Sequence, residues 1–447
     1  MIRALAFALA LTASSVSGSA AQTSAASPAP LLAFPGALGW AADTPGGRGG
    51  QILRVTNLNS EGAGSLRAAI ETPGPRIIVF EIGGVIDLNR RTLVAREPFM
   101  TIAGQTAPSP GITIIRGGMD IATHDVIIQH LRIRPGSAGQ PMSSGWDEDA
   151  LSTLSAYNLI VDHCTLTWGT DENLSASGPR FTGITPEDWR AGTSHRITYS
   201  HNIIAEGLAH STHSKFEHSK GSLIHDNVTD ILIYGNLYAH NVERSPLFKG
   251  GVRGAIVNNL IYDPGQRAIH YNLMAEEWGD QPFQNGQMSV VGNVLRAGQS
   301  TPEALAFMMI GGHGDVEYFG RDNIAVDRIG RPLPMFGRYA TGTARIIQVR
   351  RPPTWPAGLE PMPAADVERY VLRNAGARPW DRDRNDIRVI ADTAEGRGGI
   401  IDSEEQVGGY PIQQMTRRSF NPDNWNLNQM TPLRPDVLDS GARARGT

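Results

Sequence analysis

Cysteine is almost absent: Cys164 is the one thiol in 447 residues. That excludes any intrachain disulfide and any cysteine-rich metal centre. Charge is sparse at 19% and has no dominant sign, since 40 basic against 44 acidic residues leave a formal −4. This balance excludes the global basicity of a nucleic-acid binder but leaves room for a local cationic groove. Past the first dozen residues, no run is apolar for the ~18 residues that a membrane-spanning helix needs. Hydrophobic residues make up 40% of the chain, which argues against disorder. A length of 447 residues exceeds what one core supports, about 250–300, unless the architecture is a repeat in which each unit packs only on its neighbours.

What is present begins with a leader. Met1-Ile2-Arg3 is a short positive start, residues 4–12 are apolar, and Ser19-Ala20-Ala21 offers a small-residue cleavage site before Gln22. This order describes a secretory signal peptide over 1–21, followed by a flexible Pro/Ala/Ser segment over 22–32. The expected mature protein is secreted or periplasmic.

Short β-branched runs separated by polar turns fill residues 76–296, at 76–80, 112–115, 126–128, 159–161, 197–199, 231–233, 255–257 and 289–291. Runs of this length suit strands and are too short for helices. Asn202, Asn236, Asn259 and Asn293 each follow such a run, at separations of 34, 23 and 34 residues. Periods of ~20–50 residues mark solenoids. The shortest separation suits one coil of a parallel β-helix, and the longer ones the same coil with a loop inserted. Asparagine accepts the left-handed backbone of a sharp corner, and stacked amides can hydrogen-bond from coil to coil. The expected fold is therefore all-β, a right-handed parallel β-helix (a solenoid) with long loop insertions.

The insertions at 135–150, 165–195 and 205–230 are expected on one face, where solenoids commonly bind. A catalytic β-helix domain is expected over 33–344 and a C-terminal wrapping tail over 345–447. The tail is Pro-rich to 363, carries one short helix over 364–374, and covers the solenoid as open-ended stacks require.

Three groups between residues 147 and 249 carry chemistry. The first is acidic: Asp147, Glu148 and Asp149, then Asp162, then Asp171 and Glu172. Asp149 precedes one coil's strand and Asp171 follows the next, so stacking can bring them together. Converging carboxylates without a lysine make a hard-cation site of the kind Ca²⁺ accepts, or else they are solvated loop acids. Asp162, inside the strand frame, suits a turn hydrogen bond. The second group is Lys220, Arg244 and Lys249. As a strip these would grip the carboxylates of an acidic polymer, Arg bidentately and Lys as a point charge. Exposed cations with no specific job are the bland alternative. His210, His213 and His218 form the third group, a weak zinc signal better read as a loop lining the cleft.

These strings resemble the pectate lyases of polysaccharide lyase family 1. The likeness rests on Val161-Asp162-His163-Cys164, Asp149-Ala150-Leu151, Lys220-Gly221-Ser222-Leu223-Ile224 and, most specifically, Arg244-Ser245-Pro246 with a base at Lys249. Trp168 to Leu174 is similar to a bacterial secreted branch of that family. The resemblance implies a parallel β-helix and Ca²⁺-dependent β-elimination of polygalacturonate. It implies Arg244 as catalytic base, Lys220 and Lys249 as substrate-binding residues, Asp149 and Asp171 as calcium ligands, and Asp147 as an additional ligand. Where the family has a further Asp four residues past the Asp171 position, this chain has Ser175, and Glu172 is the substitute the sequence offers. The expected partner is an acidic polysaccharide, with no nucleic acid and no membrane, and the protein is expected to act as a monomer. Two other readings stay open on the residues alone. One is hydrolysis by a β-helix polygalacturonase, which needs two carboxylates ~6.5–9.5 Å apart when inverting and gives Arg244 and Lys249 no job. The other is a non-catalytic polysaccharide-binding solenoid.

Overall fold

The β-branched runs become strands because such side chains pack well on a pleated, buried surface. In the computed structural model, which describes residues 31–439, they stack into three long sheets of eleven, nine and ten strands. Past the first pair, neighbours within a sheet lie three strands apart in sequence, so each turn of chain gives one strand to each sheet. The pairing is parallel throughout these sheets except where Thr416–Arg417 joins Ile82–Asp87 antiparallel at one edge. This is a right-handed parallel β-helix, the hand that parallel crossovers take. The leader at 1–21 and most of the segment at 22–32 lie outside the described residues. Among those described, no helix is long and apolar enough to cross a membrane.

The core is a set of register rows. Ile102, Ile128, Val161, Tyr199, Ile233 and Ile256 follow one another across the eleven-stranded sheet, all fully buried. The asparagines form a second row. The side-chain oxygen of Asn236 accepts from the Asn202 backbone N–H at 2.8 Å and from its Nδ2 at 3.0 Å. Asn259 does the same for Asn236, both at 2.9 Å, and Asn293 for Asn259 at 3.0 and 2.9 Å. The row extends beyond the four expected members, to Asn323 at one end and to the Cys164 backbone N–H at the other.

One expectation about this row is corrected. The left-handed corner belongs to the residue before the ladder asparagine: His201 (φ 54), Gly235 (66), Asn258 (56), Gly292 (66) and Asp322 (52). The ladder amide is held in place by its neighbours on both sides and needs no special backbone.

Helix Ala364–Asn374 forms where the spacing expects it, and a second, Arg384–Glu395, follows. The second was invisible to hydrophobic periodicity because three of its four buried residues are polar: Asn385, Asp386 and Thr393 beside Val389. Asp386 and the capping residue Asp383 pair with Arg132 and Arg134, both fully buried on the ten-stranded sheet, at 2.6–3.0 Å for the closest contacts. Val367, Val371 and Val389 cover the outer face of Ile203, Leu237 and Leu260. Further on, Tyr410 donates to the Pro135 carbonyl at 2.6 Å, and Ser137 donates to Glu404 at 2.7 Å. The C-terminal segment thus props the 135–140 loop. The expected insertions are shorter than proposed, because 165–195 contains the ladder strands Thr165–Thr167 and Glu172–Ala176, and 205–230 contains Lys220–Ile224. The ladder also runs past 344, to Ile346–Gln348.

Candidate active site

The nine-stranded sheet carries the charged residues. Asp149 stands just before Leu151–Thr153, Glu172 begins the next strand, Lys220 begins the one after, and Leu247–Lys249 follows. Glu172 and Lys220 are register partners. Two glycines allow the coils to stack this closely. A Cβ on Gly118 would lie 1.9 Å from the Asp149 carbonyl oxygen, and one on Gly221 would lie 2.4 Å from that of Arg244.

Asp149, Asp171 and Glu172 converge, with one ligand atom of each inside a 4.8 Å circle. Asp149 accepts the Glu172 backbone N–H at 2.7 Å. Burial, reinforced by the facing Asp171 carboxylate, pushes the Asp149 pKa well above the usual range. Burial also works against the Asp171 charge, but the hydrogen bond from His218, with His213 and Arg244 nearby, outweighs it and holds its pKa low. Glu172 is buried and bonds Arg244 through Nη1. All the donors are oxygens, and the cationic influence of Arg244 on Asp149 does not offset its burial. The neighbouring Ser175 hydroxyl is buried beside Asp149 and works against the rise in its pKa. Such a set fits a hard divalent cation.

Arg244 has φ 63, a left-handed backbone it shares with many corner residues, so conformation alone does not mark it. Its Nε is buried and unbonded. Burial lowers its pKa against the pull of Asp171 and Asp149. Lys220 is likewise lowered by burial, with Glu243 opposing. Glu243, which the sequence reading passed over, is the anchor of this cluster. Its carboxylate lies 3.6 Å from Lys220 Nζ and 3.8 Å from Arg244 Nε, and it pairs with Arg267. Arg267 in turn lies 4.4 Å above the Tyr339 ring. The only signal for Glu243 was its adjacency to Arg244; Arg267 had none.

The expected cationic strip is divided. Lys249 stands apart from Arg244 and Lys220, in contact with Glu277 and 3.5 Å from Asp226. Asp147 also stands outside the converging carboxylates and accepts from the Ser214 N–H at 3.1 Å and its hydroxyl at 2.9 Å. The three histidines separate as well. His213 and His218 stack with ring centres 3.9 Å apart, and their Nε2 atoms lie 3.5 and 2.8 Å from Asp171. His213 Nδ1 accepts the Lys215 N–H at 2.9 Å, so its proton sits on Nε2 and faces the acids. In this arrangement it donates to carboxylates, and Asp171, His213 and His218 also offer ligand atoms within 4.8 Å of one another. His210 pairs with Asp402 at 2.9 Å instead. Asp162 lies in a different cluster, bonded to Gln129, Ser200, His163 and His201 at 2.7–3.0 Å.

Together these features define a parallel β-helix protein with a row of charged groups along one sheet. No family model matches the chain. It is 33% identical over 389 residues to a probable pectate lyase C of Neosartorya fischeri, an alignment covering 85% of this chain and 81% of that protein. A probable pectate lyase C of Emericella nidulans is 38% identical over 236 residues, 53% of this chain and 48% of that one. Among solved structures, a Bacillus subtilis pectate lyase mutant superposes with a TM-score of 0.52 at 14% identity, over 76% of this chain and 96% of that one. A pectate lyase bound to hexasaccharide gives 0.51 at 14%, over 77% and 97%. The chain belongs to the pectate lyase family. The curated relatives named here are fungal, so they lend no support to the bacterial branch suggested by Trp168 to Leu174.

Proposed function

We propose that this protein is a secreted or periplasmic pectate lyase that cleaves α-1,4-linked polygalacturonate by β-elimination. The carrying observation is the convergence of Asp149, Asp171 and Glu172 beside Arg244 on one sheet. Asp149 and Asp171, with Glu172 in place of the missing acid at Ser175, are the residues that would hold Ca²⁺, and Asp147 would contribute from outside. Calcium, when bound, supplies positive charge next to a substrate carboxylate. Lys220 and Lys249 contact the polymer, and Lys220 adds fixed positive charge where the enolate develops. Arg244 takes the C5 proton. The C5 electron pair forms the C4–C5 double bond, the C4–O4 bond of the same sugar breaks, and the oxygen leaves on C1 of the neighbouring sugar, where solvent protonates it.

A guanidinium normally stays charged, with a pKa above ~12. Here burial lowers it, with Arg267 adding to the effect, and Asp171 and Asp149 oppose. A cation held by those two carboxylates removes the opposition. The converging acids offer ligand atoms within 4.8 Å of one another, which argues against the ~6.5–9.5 Å carboxyl separation of an inverting hydrolase.

The test is ultraviolet absorbance of unsaturated oligogalacturonides released from polygalacturonate, with calcium and with EDTA. Absorbance rises with calcium and stops with chelator. Cleavage that survives EDTA without absorbance would make the protein a hydrolase, and binding without cleavage a non-catalytic solenoid.

A further inference from the structure

Lys249 is not a free cation. Its ammonium contacts Glu277 and lies 3.5 Å from the fully buried Asp226. Arg180 bridges the same two acids, with Nη2 2.9 Å from Glu277 and Nε 3.0 Å from Asp226. Trp278 donates its indole N–H to Asp226 at 2.7 Å and fixes that carboxylate from the side. Two cations thus face two carboxylates, and the cluster is neutral. Around Glu243 the balance differs, since Lys220, Arg244 and Arg267 all converge on that one carboxylate.

Solvent does not reach the four members equally. The Glu277 side chain is 31% exposed, against 21% for Arg180, 8% for Lys249 and none for Asp226. A polymer approaching Lys249 therefore meets a carboxylate first. An ionised uronate there finds the lysine already paired and gains no net attraction from the neutral cluster, and a methyl-esterified uronate loses nothing by being uncharged. We infer that Glu277 makes the Lys249 end of this charged row a subsite for a neutral, methyl-esterified galacturonate, and so sets the enzyme's tolerance of pectin esterification. This rests on the lyase reading. In it Lys249 touches the substrate through hydroxyl or ester oxygens, and Glu277 determines specificity without taking part in the chemistry.

The experiment compares kcat/KM on polygalacturonate and on partly methyl-esterified pectin, calcium supplied throughout, for the native chain, Glu277→Gln and Asp280→Asn. Asp280 is exposed in the same loop, so its variant removes equal charge without touching Lys249. The native chain works at least as well on the esterified substrate. Glu277→Gln gains about fivefold on polygalacturonate, the scale of one close charge–charge contact, and changes by less than twofold on the ester. Asp280→Asn leaves the ratio unchanged. The inference falls if the native chain strongly prefers polygalacturonate, if Glu277→Gln leaves the ratio unmoved with melting temperature preserved, or if Asp280→Asn shifts it as much. Absence of unsaturated product from either substrate would instead overturn the lyase reading.

Discussion

Two rows of side chains are stacked by the same coil, one of amides and one of carboxylates, and they end in opposite states. Each ladder asparagine donates to and accepts from its neighbours, so the row from Asn202 to Asn323 saturates itself. Carboxylates only accept. When stacking sets Asp149 against Asp171, the pair repels, and burial adds to the cost. The chain supplies partial compensation, His218 to Asp171 and Arg244 to Glu172, and leaves Asp149 with a backbone N–H and the Ser175 hydroxyl. The solenoid therefore acts as a stacking rail indifferent to what it stacks. A self-complementary residue yields structure, and a residue that cannot satisfy itself yields a place for a foreign cation and an acidic polymer.

The comparison breaks most sharply at Arg244. Arg244→Lys keeps a charge at the site but loses the guanidine, and kcat falls at least ~100-fold, the scale of general-base loss, while KM changes little. Stopped assays of the unsaturated product measure it. Near-normal turnover would remove Arg244 from the base role.

A smaller effect tests the amide row. Asn236→Ala takes the acceptor from the Asn202 N–H and the side-chain donor from the Tyr199 carbonyl, while Asn202 Nδ2 keeps the Val161 carbonyl and the Asn259 oxygen keeps the Asn236 N–H. Denaturant unfolding should show a loss of about 2 kcal/mol, as expected when buried polar groups lose partners. Asn323→Ala, at the part-buried end, costs about 1 kcal/mol because water reaches its neighbours. Equal costs would mean that the row does not act as a continuous buried network.

How much of this the sequence discloses follows the same division. The strands were legible because β-branched runs and a repeated asparagine are local patterns, and helix 364–374 because Val367 and Val371 fall on one face. The helix at Arg384–Glu395 was not, since its buried side carries Asp386 for Arg132 and Arg134 across more than 250 residues of chain. At the site, Asp149, Asp171 and Arg244 were legible from motif strings. Glu243, Arg267 and Glu277 were not, because a carboxylate that anchors a cation looks like any surface acid until the coils stack. The division of Lys249 from Lys220 was hidden for the same reason: it depends on Asp226 and Glu277, from two other loops.

The smallest expected effect sharpens the contrast most. Asp149 has a folded pKa above its unfolded value, so the folded chain keeps a proton that the unfolded chain has released. Stability from this group is therefore present at low pH, falls as pH rises through that window, and stays reduced at neutral pH. Asp149→Asn removes the repulsion with Asp171 while an amide oxygen can still accept the Glu172 N–H. In the metal-free protein at pH 7 the variant melts higher, by roughly 2 °C for a gain near 1 kcal/mol in a chain of this size. Calcium should reverse the order, stabilising the native protein by mass action and the variant little. A variant that melts lower without metal would mean that the N–H and the Ser175 hydroxyl hold Asp149 more strongly than Asp171 repels it. The carboxylate row would then be as self-sufficient as the amide row beside it.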